Sequence, residues 1–219
     1  MNVLITGANR GIGLGFVRHY LDQGCEVWAG YRSDAGGLRD LAGARLHPVR
    51  LDIMADLPLA ELPDRIDLLI NNAGIYGPHA QSLEAVSSED MLQVFAVDCV
   101  GPLRVVQALR DRVAAAKGVI ANISSKMGSS SDNSSGGSYA YRAAKAALVI
   151  VSKSMAIDLA PAGVRVITLH PGWVRTDMTD HAGLVDVSES VDGMASVIAH
   201  IGDYEPGALV AFDGRVIPY

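Results

Sequence analysis

Cysteine is scarce in this chain: Cys25 and Cys99 are the two it has, without the spacing of a metal site or redox pair, and each reads as a buried thiol. Positive charge is in deficit as well. The 18 Lys and Arg against 24 Asp and Glu leave a net charge of -6 and a pI near 5.4, which excludes the broad basic face that nucleic acid requires. The six histidines show no His-x-x-x-His spacing, so no metal is expected. No apolar stretch reaches the roughly 18–20 residues that span a bilayer. Residues 1–6 run straight into apolar sequence with neither a basic segment nor a cleavage site, which reads as a first strand and not a signal peptide. A cytoplasmic protein with no membrane or nucleic-acid partner is expected. Internal repeats and linkers between domains are also lacking, so residues 1–219 are expected to form one domain, long enough to bury its own core.

What is present is a folded α/β pattern. Hydrophobic residues make up 49% and charged residues 19%, a composition that buries a core. Short runs rich in Val, Ile and Leu, with little alternation, fall at 2–6, 26–31, 45–51, 66–71, 118–124, 165–170 and 208–212. Strands covered by helices on both faces have this composition. Helices are expected at 11–23, near 34–41, and at 87–115, 139–160 and 188–201, with only a short connection at 55–63. Strand and helix in alternation imply a doubly wound, mostly parallel Rossmann-type sheet of about seven strands. One stretch, 128–138, is dense in Ser and Gly; alone it reads as a flexible loop, and its place between a strand and a helix makes it a candidate rim of a site.

The turn from the first strand to the first helix reads Thr6-Gly7-Ala8-Asn9-Arg10-Gly11-Ile12-Gly13. Glycines let the backbone turn tightly and approach a pyrophosphate, and the helix N-terminus offers it free N–H groups and partial positive charge. A dinucleotide is therefore expected at Gly7, Asn9, Arg10, Gly11, Ile12 and Gly13. The second strand ends Tyr31-Arg32 with no acid at its tip. An acid there commonly meets a ribose 2′-hydroxyl, whereas Arg32, with Arg10 in the glycine turn, suits a 2′-phosphate. NADP(H) is expected in preference to NAD(H).

The three residues between Gly7 and Gly11 are a spacing found in one family. With Asp52, Asn71-Asn72-Ala73-Gly74, Asn122-Ile123-Ser124-Ser125, Tyr141-Arg142-Ala143-Ala144-Lys145 and Pro171-Gly172-Trp173-Val174-Arg175-Thr176 following in order, the chain resembles the short-chain dehydrogenase/reductases over nearly its whole length. Its length, Ser/Gly-rich loop and last residues, 213–219, are similar to the C-factor-like and sniffer-like carbonyl reductases of that family. The resemblance implies NADP(H)-dependent interconversion of a small carbonyl and an alcohol, with Ser125, Tyr141 and Lys145 catalytic and Lys145 also holding the nicotinamide ribose. It further implies that Asp52 and Ile53 meet the adenine, Asn71, Ala73 and Gly74 the adjacent ribose, and Pro171, Gly172, Val174 and Thr176 the nicotinamide end.

The chemistry of these residues agrees. Tyr141 and Lys145 lie one helical turn apart, on one side of a helix. An ammonium lowers the pKa of a neighbouring phenol from its usual value near 10, so Tyr141 is expected to exchange protons more readily. Ser125 is placed to donate to a developing oxyanion. Tyr139, with Ala143 four residues on, lacks a lysine partner, and Ser124 is the rival to Ser125. One position departs from the pattern: Asp98 stands where the family usually has Asn, in a proton relay to the lysine. A carboxylate there is expected to stabilise the ammonium and weaken its pull on the Tyr141 proton. That departure keeps open a second reading, a cofactor-binding signalling or sensor protein with little turnover. A substrate pocket is expected from 77–82, 128–138 and 176–186; the apolar residues of 103–113 and 143–159 read either as core or as an interface, and the resemblance implies the latter, in a homodimer or homotetramer.

Overall fold

The computed structural model describes residues 1–41 and 43–219. Seven strands, β1 (Asn2–Ile5), β2 (Glu26–Tyr31), β3 (Leu46–Arg50), β4 (Leu68–Asn71), β5 (Val119–Ile123), β6 (Arg165–His170) and β7 (Leu209–Ala211), form one sheet in the order β3-β2-β1-β4-β5-β6-β7. Every neighbouring pair is parallel. The helices are α1 (Gly11–Asp22), α2 (Ser88–Phe95), α3 (Gly101–Ala116), α4 (Tyr139–Leu159) and α5 (Val187–Ala199). The segment expected to be helical near 34–41 is a 3-10 helix at Gly36–Asp40, and the short connection expected at 55–63 holds a 3-10 turn at Leu59–Glu61.

Side chains alternate across the sheet as the two-residue period of a strand requires. Val3 and Ile5 point to one face, where they pack with Phe16, Val17 and Tyr20 of α1 and Val191, Met194 and Ile198 of α5. Leu4 points to the other, with Val105, Leu109 and Val113 of α3 and Met155 and Ala156 of α4. Both faces are covered, which is why the strands read as near-continuous apolar runs. The strand order reverses at β1, whose neighbours are β2 and β4. The crevice beyond the carboxyl ends of those strands is where such sheets hold ligands. Cys25 and Cys99 are free and buried.

The helix expected at 87–115 departs from expectation in its middle. Residues Ala96–Val100 form a π-turn between α2 and α3, with the Gly101 N–H reaching the Ala96 carbonyl. Pro102 is the physical cause: it has no N–H for the Asp98 carbonyl, and its ring would clash with that oxygen in a regular helix. The wider turn relieves both and carries Asp98 into the interior. The whole run Ser88–Ala116 is long and apolar enough, by length and composition alone, to cross a bilayer, which corrects the expectation that no such segment exists. Here it covers the sheet, with Val105, Val106, Leu109 and Val113 buried.

His170, at the end of β6, is a buried imidazole whose Nδ1 has no hydrogen-bond partner among the described residues. Burial first, then Lys126, push it down from 6.5 to about 4, against the pull of Asp132 and Asp213. A depressed pKa in the folded state means stability is complete above the ordinary value and lost as pH falls through the folded one. About 3 kcal/mol of stability is expected to disappear between pH 6.5 and 4 from this residue. Urea unfolding of the wild type and of His170→Gln across that range measures it; equal pH slopes for the two would rule His170 out.

Candidate active site

The glycine turn is held open by what lies against it. Gly7 has φ +62°, in the left-handed region, and a Cβ on it would sit 2.8 Å from the Ala73 Cα. A Cβ on Gly13 would lie 2.2 Å from the Gly7 carbonyl oxygen and 2.6 Å from Asn72 Nδ2. Neither position has room for a side chain. Arg10 sits at the N-cap of α1 in extended conformation and makes no side-chain cap, so the first N–H groups of the helix keep their capacity for an anion. This bare cradle at a helix N-terminus fits a pyrophosphate. The turn is fastened to β4: Thr6 Oγ1 accepts from the Asn72 and Ala73 N–H groups at 3.0 and 3.1 Å. Asn72 Nδ2 donates to the Thr6 and Gly7 carbonyls at 3.1 and 2.9 Å. Thr6 and Asn72 lay inside the quoted motifs without a role; their service to the backbone became visible only once β1 and β4 were paired.

At the end of β2, Arg32 is exposed, and its carbonyl accepts from Arg50 Nε at 3.4 Å, so a second guanidinium stands on this side. An acid stands nearby too. Asp34 accepts from the Gly36 N–H and pairs with Arg39, contacts that hold its carboxyl below the usual range. Asn9 is engaged in the same turn, donating through Nδ2 to the Asp34 carbonyl at 3.0 Å. Arg10, expected at the phosphate side, pairs with Asp177 at 3.3 Å and lines the cleft with Tyr76.

Several residues expected near a cofactor have contacts of their own within the protein. Asn71 is buried and donates to Asn122 Oδ1 at 2.8 Å, and Asn122 in turn donates to Ser152 Oγ at 2.8 Å. Ile53 is buried against Gly101. Asp52 caps its own turn by accepting from the Met54 N–H at 2.9 Å. Val174 is buried and its carbonyl accepts from Thr179 Oγ1 at 2.6 Å, while the Pro171 carbonyl accepts from Ser190 Oγ at 2.6 Å. Thr176 Cγ2 lies 3.4 Å from where a Gly11 Cβ would be, so the β6 end closes over the glycine turn. A Cβ on Gly74 would lie 3.3 Å from both Asp98 carboxylate oxygens and 3.4 Å from Lys145 Nζ, which places that glycine on the charged cluster.

Ser125, Tyr141, Lys145 and Asp98 come together at the end of β5 and the start of α4. Lys145 Nζ is 3.1 Å from Asp98 Oδ2, with side chains 7% and 0% exposed. It donates to the Ile123 carbonyl at 3.1 Å and lies 5.6 Å from the centroid of the Tyr141 ring. Asp98 Oδ1 accepts from the Ile75 N–H at 2.8 Å. Ser124 Oγ donates to the Lys145 carbonyl at 3.0 Å inside the protein, whereas Ser125 Oγ accepts from the Met127 N–H at 3.1 Å.

Burial works against the Lys145 ammonium, but Asp98 and Tyr141 outweigh it and hold its pKa above the ordinary lysine value. For Tyr141 the expectation is corrected. Burial is the largest influence and raises the phenol; Lys145 and Ser125 pull it down, Asp98 and Tyr76 push it up, and the net direction is upward. The carboxylate works against the ammonium, and with burial it leaves the phenol above its ordinary value.

A cleft of about 450 Å³ opens beside this cluster, lined by residues that include Tyr76, Gly77, Pro78, His79, Asp177 and Met178. The expected pocket segments 77–82 and 176–186 both contribute. The Ser/Gly-rich loop does not line it; Ser129 and Ser131 donate instead to the Pro218 and Tyr219 carbonyls. Tyr76 lies outside the expected pocket segments, and Gln81, inside 77–82, had no individual role in that expectation. The Tyr76 ring lies 5.0 Å from that of Tyr141, and Gln81 accepts from the Tyr141 N–H. A lone glutamine 60 positions from its partner leaves no periodic signal.

The family model described as short chain dehydrogenase matches residues 1–184. The chain is 39% identical over 155 residues to C-signal of Myxococcus xanthus, covering 70% of this chain and 93% of that protein. Its structure is similar to carbonyl reductase Sniffer of D. melanogaster, with TM-score 0.91 and 31% identity over 100% of this chain and 99% of that one. It is also similar to the NADPH-bound carbonyl reductase from chicken fatty liver, with TM-score 0.89 and 33% identity over 100% and 98% of the two chains.

Proposed function

The chain belongs to the short-chain dehydrogenase/reductase family, and from that premise we propose that it is an NADPH-dependent reductase of small carbonyl compounds with Tyr141 as the proton donor. The observation that carries this reading is the Tyr141 phenol set with Lys145 Nζ 5.6 Å from its ring centroid and with its ring 5.0 Å from that of Tyr76, which lines the cleft. A group that must hand a proton to a developing alkoxide has to carry that proton at neutral pH, as a phenol held above its ordinary value near 10 does. Ser125 is the neighbouring hydroxyl suited to donate to the same oxygen. Lys145, charged through its pair with Asp98, favours the phenolate left behind and so eases the transfer.

The glycine turn and the N-terminus of α1 would hold the pyrophosphate of the cofactor, Lys145 the nicotinamide ribose, and Arg32 a 2′-phosphate. When bound, the reduced nicotinamide supplies the hydride. The chicken carbonyl reductase is named as NADPH-bound, which supports the same cofactor here. In a fluorescence titration, NADPH is expected to bind about tenfold or more tightly than NADH, the worth of a charge-assisted contact. Arg32→Ala should narrow that gap while leaving NADH affinity alone; equal affinity of the wild type for the two cofactors would refute the preference. NADPH oxidation against a panel of aldehydes, ketones and quinones tests the reaction.

The second reading, a cofactor-binding signalling protein with little turnover, is favoured by the likeness to C-signal and by the carboxylate at position 98. Tight NADPH binding with no oxidation against any compound of the panel would decide for it.

A further inference from the structure

We propose that Gln81 positions the Tyr141 phenol, replacing the capping side chain that α4 lacks and tying the first turn of that helix to the wall of the cleft.

The first N–H groups of a helix need partners from outside it, and a serine at the N-cap ordinarily supplies one through its hydroxyl. Ser138 occupies that position but has φ +50° and caps nothing with its side chain. Its hydroxyl is engaged with the Tyr76 hydroxyl at 2.8 Å. Gln81 does the capping from across the fold. Its backbone carbonyl accepts from the Tyr139 N–H at 3.4 Å, and its side-chain Oε1 accepts from the Tyr141 N–H at 3.0 Å. The Nε2 of the same amide donates to the Tyr76 carbonyl at 2.8 Å and the Pro78 carbonyl at 2.9 Å. The residue is 3% exposed, and its two donors and its acceptor all have partners, as a buried amide requires. Turning the amide over would set N–H against N–H and oxygen against oxygen, so the network holds it in one orientation.

The consequence is a closed unit. Tyr76 touches Tyr141 through its ring, meets Ser138 through its hydroxyl and accepts from Gln81 through its carbonyl. Tyr141 stands on the first turn of α4, the part of a helix most given to fraying. Proton transfer tolerates little displacement, since a misplacement of about 1 Å costs on the order of 10²-fold in rate. Gln81 reacts with nothing; it acts through the backbone of Tyr141 and through the loop that carries Tyr76. This inference rests on Tyr141 being the proton donor.

Gln81→Met, which keeps the bulk and removes every side-chain hydrogen bond, and Gln81→Glu test it. Gln81→Met is expected to lower kcat by about 10- to 100-fold, with the NADPH dissociation constant within about twofold of the wild type. Water admitted to the loosened turn should also move the Tyr141 titration down toward the ordinary phenol value, read as phenolate absorbance against a Tyr141→Phe background. Glutamate accepts from the Tyr141 N–H in either protonation state but donates to one of the two loop carbonyls only when protonated, so kcat of Gln81→Glu should rise as pH falls. Gln81→Met with wild-type kcat and wild-type phenol titration overturns the proposal. So does a kcat loss matched by an equal loss of NADPH binding. Should the methionine variant not fold, a Gln81→Glu pH profile that parallels the wild type overturns it. If the wild type reduces no carbonyl, the proton-donor reading fails by itself, and an unmoved phenol titration in Gln81→Met then disproves the positioning separately.

Discussion

Tyr141→Phe is expected to lower kcat for carbonyl reduction by about 10²- to 10⁴-fold, the range typical of a lost general acid. The ring remains, so its packing against Tyr76 and the amide bond to Gln81 are kept. NADPH affinity should stay within about twofold, because a loss confined to kcat marks an interaction made only in the transition state. The wild-type pH profile should carry the same signature. A raised phenol pKa keeps the proton donor available through neutral pH and withdraws it only as pH climbs past the ordinary phenol value, so reduction falls off on the alkaline side. Steady-state kinetics with a saturating carbonyl reads both effects. A phenylalanine variant retaining more than about a tenth of the wild-type kcat would place the proton elsewhere.

Lys145→Met is expected to cost about 3–5 kcal/mol of stability, the usual result of leaving one member of a buried ion pair behind. The Asp98 side chain has no exposure and loses the cation 3.1 Å away. Adding Asp98→Asn to Lys145→Met should restore most of the loss, since an amide oxygen still accepts from the Ile75 N–H and no buried charge remains. The sign with pH follows from the raised lysine: its contribution is complete below the ordinary value of 10.5 and is lost as pH rises through the folded one. Urea denaturation near neutral pH compares the three proteins. A single-variant loss below about 1 kcal/mol, or no recovery in the double variant, contradicts the pairing. Asp98→Asn alone should act on chemistry. With the carboxylate gone, Lys145 and Tyr141 both move down, and the alkaline limb of kcat shifts to lower pH.

The sheet was legible because burial on both faces writes itself as apolar runs, and all seven appear where β1 to β7 lie. The glycine turn was legible because Gly7 and Gly13 leave no space for a Cβ. Tyr141 and Lys145 share a helix, and a four-residue spacing reveals a common face. What stayed hidden depends on distant contacts. The π-turn at Ala96–Val100 turns Asp98 inward; Pro102 signals a break in the run 87–115, but the form of the break and the side it turns inward depend on packing. The direction of the Tyr141 pKa balances burial against two charges brought together only by folding: the ammonium seen in sequence does pull it down, and burial, invisible there, outweighs it. Asn71 turns to Asn122 and Gln81 to Tyr141, pairings that no local pattern encodes.

The most direct test is to give the protein NADPH deuterated on the transferable position together with a carbonyl compound it consumes, and to analyse the alcohol formed. Carbonyl reduction in this cleft predicts one deuterium on the carbinol carbon, in stoichiometric balance with oxidised cofactor, from the wild type and far more slowly from Tyr141→Phe. NADPH that stays bound and unoxidised with every carbonyl offered, or alcohol that carries no deuterium, would contradict it.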